Sequence, residues 1–281
     1  MITTLKNFVK TSKGLLTNPR ALAIFAILYA VLLVTLYGFI SIREATVLQV
    51  AVTMFFLVLI PLEFFVLQAA ILQHSRAEKF QWGQIIRDAI KLAVVTIPII
   101  LLGYALLYLL NKWQAHYLAP TAASLPITPS PPKPPPLHVP TVLFATLRFL
   151  LLGLVLPLAT IHLWIEVTAH DLRTSLGGGA KPVLKRIGNA FARALAFDSV
   201  LIYALGLIVF VLIPYAILFV PISVKGTKTD FAIFIARLLL VYIFTLLGWG
   251  VTLSALARTA AETSTAVPVN NVPDTPIEAP A

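Results

Sequence analysis

Apolar residues run along this chain in six long stretches, at 21–42, 45–73, 92–111, 141–169, 199–222 and 231–257, with most charged residues crowded between them. A helix needs ~20 mostly apolar residues to cross ~30 Å of hydrocarbon, so each stretch reads as a membrane-spanning helix. The expected fold is an all-α integral membrane protein, a six-span helical bundle over residues 21–257. Lys6, Lys10, Lys13 and Arg20 before the first run make it resemble a signal peptide. Its apolar stretch is too long, however, and Ser41-Ile42-Arg43-Glu44 is not a small-residue cleavage site, so the run is expected to stay as an anchor.

The polar gaps carry a second pattern. Val183, Leu184, Ile187, Phe191 and Leu195 recur at helical spacing among Lys181, Lys185, Arg186 and Arg193. Trp82, Ile85, Ile86, Ala89 and Ile90 alternate likewise with Gln81, Gln84, Arg87, Asp88 and Lys91. More weakly, Leu5, Phe8 and Val9 stand beside Lys6 and Lys10 in the basic segment 1–20. Such stretches are either amphipathic helices lying in the headgroup layer or extensions of the spans. Since each precedes an outward-going span, they predict a threefold repeat of surface helix plus helical hairpin, with units at about 1–73, 80–170 and 181–257. Spans two and four also align locally: Pro61-Leu62 matches Pro157-Leu158, and the same offset of 96 places His74 on His170.

Composition removes the soluble classes. The chain has 281 residues, 59% of them hydrophobic and 11% charged, with a mean hydropathy of +0.94, far from a water-soluble globule or enzyme. The absence of cysteine excludes disulfide scaffolds, thiolate metal sites, cysteine catalysis and cysteine-linked lipid anchors. The net charge of +10 points to anionic lipid, since no nucleic-acid motif accompanies it and no nucleic-acid partner is expected. Fourteen of the 21 Lys and Arg fall in segments 1–20, 74–91 and 170–197 or at Arg258. Arg43, Lys112, Lys133, Lys225 and Lys228 fall on the opposite side. Cations resist translocation in short loops, so both termini are expected in the cytoplasm, across a plasma or bacterial inner membrane. In the external loop 112–140, the prolines of Ser130-Pro131-Pro132-Lys133-Pro134-Pro135-Pro136 predict an extended polyproline II spacer, with a ligand for an aromatic groove as the other use. The tail 258–281, rich in Thr, Ala, Pro and Asn, is expected to be disordered.

Ionisable groups inside spans are costly, so each is a candidate for function with a partner to be found. His162, Glu166 and His170 are spaced i, i+4, i+8 on one helix face of span four. Three ligands on one straight helix cannot all reach one ion, so a second helix must contribute. Span two offers Glu63 and His74: counting ~1.5 Å per residue, Glu63 lies ~27 Å and His162 ~31 Å from their outer ends, which allows contact. The expectation is a hydrogen-bonded Glu63–His162 pair, with a proton or ion pathway through Glu63, His162 and Glu166, or a metal held by His74, His162, Glu166 and His170, as alternatives. His74 and His170 should meet at the inner interface. Arg148 and Arg237 sit ~10 Å inside the outer boundary, where they either snorkel outward or jointly hold an anionic headgroup. Lys181, Lys185, Arg186 and Arg193 are further lipid-binding candidates. Gly177-Gly178-Gly179 before Lys181 lacks the phosphate-loop spacing and reads as a hinge; Gly103, Gly248 and Gly250 read as sites of close helix contact. The expected function is non-catalytic and without a cofactor: binding of anionic lipid or of a membrane partner, a second copy of the chain included. A small secondary transporter or channel subunit and an intramembrane metal-dependent enzyme are the alternatives.

Overall fold

The computed structural model of the protein describes residues 2–43, 46–76, 80–117, 139–169, 180–221 and 226–265, all helix or short connection, with no strand among them. The expectations for the proline-rich stretch 118–138, the glycine hinge, His170 and the tail beyond residue 265 lie outside the described residues, as do the side chains of Lys181 and Arg186. Among the described residues six helices are long and apolar enough to cross a membrane, at Pro19–Ser41, Val47–Arg76, Trp82–Tyr117, Val139–Ala169, Phe197–Phe219 and Thr227–Glu262. The chain is thus a multi-pass membrane protein by the length and composition of its helices.

Helix α1 (Ile2–Leu16) leads into α2 (Pro19–Ser41) through a short turn. Asn18 accepts a hydrogen bond from the Ala21 amide at 3.1 Å, and Pro19, which has no N–H to leave orphaned, opens the helix. Next come α3 (Val47–Arg76) and α4 (Trp82–Tyr117). Span four is α5 (Val139–Arg148), a π-helical segment Phe149–Val155 and α6 (Leu156–Ala169). Then follow the amphipathic α7 (Ala180–Ala194), span five as α8 (Phe197–Leu207), a π-helical segment Ile208–Leu212 and α9 (Ile213–Phe219), and finally α10 (Thr227–Thr265). Both π segments end just before a proline, Pro157 or Pro214. A proline ring clashes with the carbonyl four residues back and withholds its own N–H, and a widened turn relieves both problems.

The threefold repeat needs one correction. α1 and α7 are separate amphipathic helices, but residues 82–91 are the first turns of α4 itself. The short link from α3 and the apolar anchors Ile85, Ala89 and Leu92, all buried, draw this stretch straight into span three, so the second unit has no surface helix of its own.

Packing is uneven along the bundle. The buried positions of α3 lie between Phe65 and Gln73, those of α6 between Leu158 and Thr168, and α10 buries Val251 to Ala257. All belong to the end that also carries α1 and α7, called the basic end below. The opposite halves of α3 and α4 present Met54, Phe55, Val58, Leu101, Tyr104, Tyr108 and Trp113 outward, as lipid-facing positions do. Lipid is as apolar as leucine, so span association rests on close fit and on interhelical hydrogen bonds. The Trp249 indole donates to Gln68 Oε1 at 2.7 Å, the Trp164 indole to Thr96 Oγ1 at 2.8 Å, and the Tyr242 hydroxyl to the Ala26 carbonyl.

Glycine supplies the close fit where α8 and its π segment cross α10. A β-carbon at Gly248 would lie 2.9 Å from the Phe210 backbone nitrogen, and one at Gly206 only 2.1 Å from Thr252 Oγ1. Gly248 therefore acts as expected, and Gly206 is its unforeseen counterpart. At Gly103 the added carbon would meet Leu156 at 3.0 Å, whereas at Gly250 it would meet Leu15 at an ordinary 3.5 Å. Gly206→Ala is accordingly expected to cost about 1–3 kcal/mol of stability. Gly250→Ala should stay within about 0.5 kcal/mol of the parent, both read as thermal unfolding in detergent.

Candidate functional site

The basic end contains a cavity of about 440 Å³ lined by Ser75 and Arg76 of α3, Ile165, Glu166 and Ala169 of α6, Arg193 of α7, and Ala257, Arg258, Ala260 and Ala261 of α10. The alanines leave the room and the long side chains supply the charge. Arg76, the last residue of α3, donates through Nη2 to the Ile165 carbonyl at 2.5 Å and to Thr168 Oγ1 at 2.7 Å. It thus ties the last described residue of α3 to the side of α6 that faces the cavity. Arg193, in the last turn of α7, brings Nη1 to 4.0 Å from Glu166 Oε2, with side chains 46% and 16% exposed respectively. Arg258 extends Nη1 to Thr11 Oγ1 of α1 at 3.4 Å. The cavity is therefore ringed by guanidinium groups from three helices and one carboxylate from a fourth.

A second layer of polar contacts fixes these elements. Thr4 Oγ1 of α1 donates to Asp198 at the start of α8, and Asn7 donates to Glu262 of α10 at 3.2 Å. One helical turn below Glu166, His162 is buried with Nε2 3.0 Å from Ser199 Oγ. Behind Arg76, Asp88 and Lys91 of α4 form a 3.1 Å ion pair shielded from solvent.

Of the residues predicted from sequence, Glu166 and Arg193 meet at this cavity, and Lys185 stands exposed on α7 nearby in the chain. The Glu63–His162 hydrogen bond is not formed, which corrects the expectation. Glu63 Oε1 accepts from Thr35 Oγ1 of α2 at 3.0 Å, while Oε2 is buried with no hydrogen-bond partner, as is His162 Nδ1. Depth along the membrane normal allowed the pair, but rotation about the helix axis does not: α3 turns Glu63 toward α2, and α6 turns His162 toward α8. His74 stacks on Phe80, with ring centroids 5.6 Å apart at 7°, and meets the edge of Phe25 at 5.7 Å. Its expected meeting with His170 lies outside the described residues. Among the described residues no group of three His, Asp or Glu is placed to hold a metal ion.

Arg148 and Arg237 do not share a site. Arg148 reaches across to Asn111 Oδ1 at 2.6 Å and to Gln114 on α4, whereas Arg237 caps α9 by donating to the Val220 carbonyl at 2.7 Å and the Leu218 carbonyl at 3.3 Å. Both extend toward the far end of the bundle, as snorkelling requires. Arg76 and Arg258 were counted from sequence only as topological charges. Their signal was position, since each ends or follows a span's last apolar turn.

The hydrogen-bond assignments predict a pattern of couplings. In double-mutant cycles on detergent unfolding, Thr35→Val and Glu63→Leu are expected to couple by about 0.5–1.5 kcal/mol, whereas Glu63→Leu and His162→Ala should add independently. No family model, characterised protein or solved structure matches this chain.

Proposed function

We propose that this multi-pass protein is a binding protein whose basic end holds the headgroup of an anionic phospholipid. The observation that carries the reading is the convergence of Arg76, Arg193 and Arg258 on one cavity at the end of the spans. Planar guanidinium forks match phosphate oxygens in two-point contacts, and their charge persists at any physiological pH. The cavity volume of about 440 Å³ suits a headgroup. Arg76 ends its span and Arg258 follows the apolar run 231–257, which supports a level near the headgroups for the cavity. The basic faces of α1 and α7 add attraction for the same leaflet, each cation near an anionic surface contributing ~1 kcal/mol.

In this reading the basic end faces the cytoplasm, because that placement keeps most of the cations untranslocated. The chain has no cysteine, so single cysteines report topology without background. Lys228→Cys is expected to react with a membrane-impermeant maleimide on intact cells, and Lys10→Cys only after permeabilisation; the reverse labelling would overturn the orientation.

For the lipid itself, the purified protein should be stabilised against heat by phosphatidylglycerol and not by phosphatidylcholine of the same chains. Arg193→Gln combined with Arg258→Gln is expected to weaken phosphatidylglycerol binding by roughly tenfold or more, since charge-assisted hydrogen bonds contribute about 1.5–3 kcal/mol each. Equal stabilisation by the two lipids, or binding indifferent to both arginines, would sink the reading.

A further inference from the structure

The charge around the cavity permits a narrower statement, which rests on the headgroup reading above. We propose that the preferred ligand group is a terminal phosphate monoester, a dianion, carried by a membrane lipid, rather than the monoanionic diester of ordinary anionic phospholipids.

Among the described residues, three arginines and one glutamate give the cavity lining a formal excess of two positive charges. A phosphodiester neutralises one of them and a monoester both. The disposition of donors points the same way. Arg76 comes from α3, Arg193 from α7 and Arg258 from α10, so the guanidiniums approach the cavity from separate helices. A monoester offers three terminal oxygens to such a ring, whereas a diester offers two and must thread carbon on both sides.

The side chains also retain donors for a ligand. Each guanidinium has five N–H groups. Arg193 is no nearer than 4.0 Å to Glu166, and the Arg258 contact with Thr11 is long at 3.4 Å. Among the described residues, the charged and titratable groups on neighbouring elements leave the excess in place. Asp88 of α4, near enough to act electrostatically on Arg76, is paired with Lys91; Asp198 of α8 accepts from Thr4. Glu262 of α10 accepts from Asn7, His162 of α6 bonds Ser199, His74 of α3 stacks on Phe80, and the lysines of α1 are exposed.

The test uses the full chain in detergent micelles, titrated with phosphatidic acid or phosphatidylglycerol of identical acyl chains, and separately with hexyl phosphate. At pH 7.5, above the second phosphate pKa of about 6, phosphatidic acid is expected to bind about tenfold more tightly than phosphatidylglycerol. At pH 5 the monoester carries one charge and the advantage should shrink to about twofold. Phosphatidylglycerol keeps one charge throughout, so its own pH profile reports any titration of the protein. Glu166→Gln should widen the preference for phosphatidic acid and Arg193→Gln should narrow it; Arg193 is half-exposed, so its loss leaves the bundle core untouched. Equal affinity for both lipids at pH 7.5, with both lost in Arg193→Gln, would overturn the dianion preference and leave the headgroup reading standing. Loss of neither lipid on Arg193→Gln together with Arg258→Gln would overturn both. Hexyl phosphate binding as tightly as phosphatidic acid would overturn the lipid as carrier of the group and uphold the dianion.

Discussion

In hydrocarbon an unpaired backbone amide or carbonyl costs several kcal/mol, and that constraint shapes every part of this molecule. Six apolar segments must close their hydrogen bonds within themselves, which leaves the helix as the only local structure available to an unpaired span. Where proline breaks the ladder, at Pro157 and Pro214, the backbone widens into π turns that keep the chain helical. At Arg237 a side chain does the same work, donating to the carbonyls at the end of α9.

With the backbone satisfied, lipid exerts little pressure to gather the spans, so their association depends on fit. That explains the asymmetry of the bundle. Small residues and interhelical hydrogen bonds concentrate toward the basic end, from Gly206 against Thr252 to Gln68 with Trp249 and Thr96 with Trp164, and the buried positions concentrate with them. The opposite halves expose large aliphatic and aromatic residues and cross less closely, the tightest approaches there being Gly38 against Phe56 and Gly103 against Leu156 at 3.0–3.1 Å. The closely packed end is also the one where charged groups from several helices converge.

Extent along the chain was legible because length and charge determine where a span starts and stops: the run 21–42 became Pro19–Ser41, and 231–257 lies inside Thr227–Thr265. Azimuth was not. α3 is apolar all round, so its sequence contains no stripe to say which way Glu63 turns, and only the folded bundle shows Thr35 as its partner. Between residues 82 and 91 periodicity left two readings open, and the stretch is the head of α4 rather than a separate helix, because a pattern of faces does not record whether a bend follows. The arginine cavity was half legible. Glu166 and Arg193 stood out as an intramembrane carboxylate and a charge on an amphipathic face. Arg76 and Arg258 looked like topological markers until the helix ends carrying them came together.

Those helix ends bear on what the cavity can hold. α3, α6 and α10 bring C-terminal turns to the basic end, each equivalent to roughly half a negative charge, which alone would absorb much of the arginine charge. Yet the spans run antiparallel, and α2, α4 and α8 bring N-terminal turns to the same end. The opposed dipoles largely cancel over the width of the bundle, and each field fades within about one turn. Of the three cavity arginines, Arg76 is the one that donates to a backbone carbonyl among the described residues, that of Ile165. Arg193 and Arg258 make longer contacts with side chains, Glu166 and Thr11, that a phosphate could outcompete in both charge and number of acceptors. In the headgroup reading, one arginine therefore builds the site and the other two are left for a ligand in it.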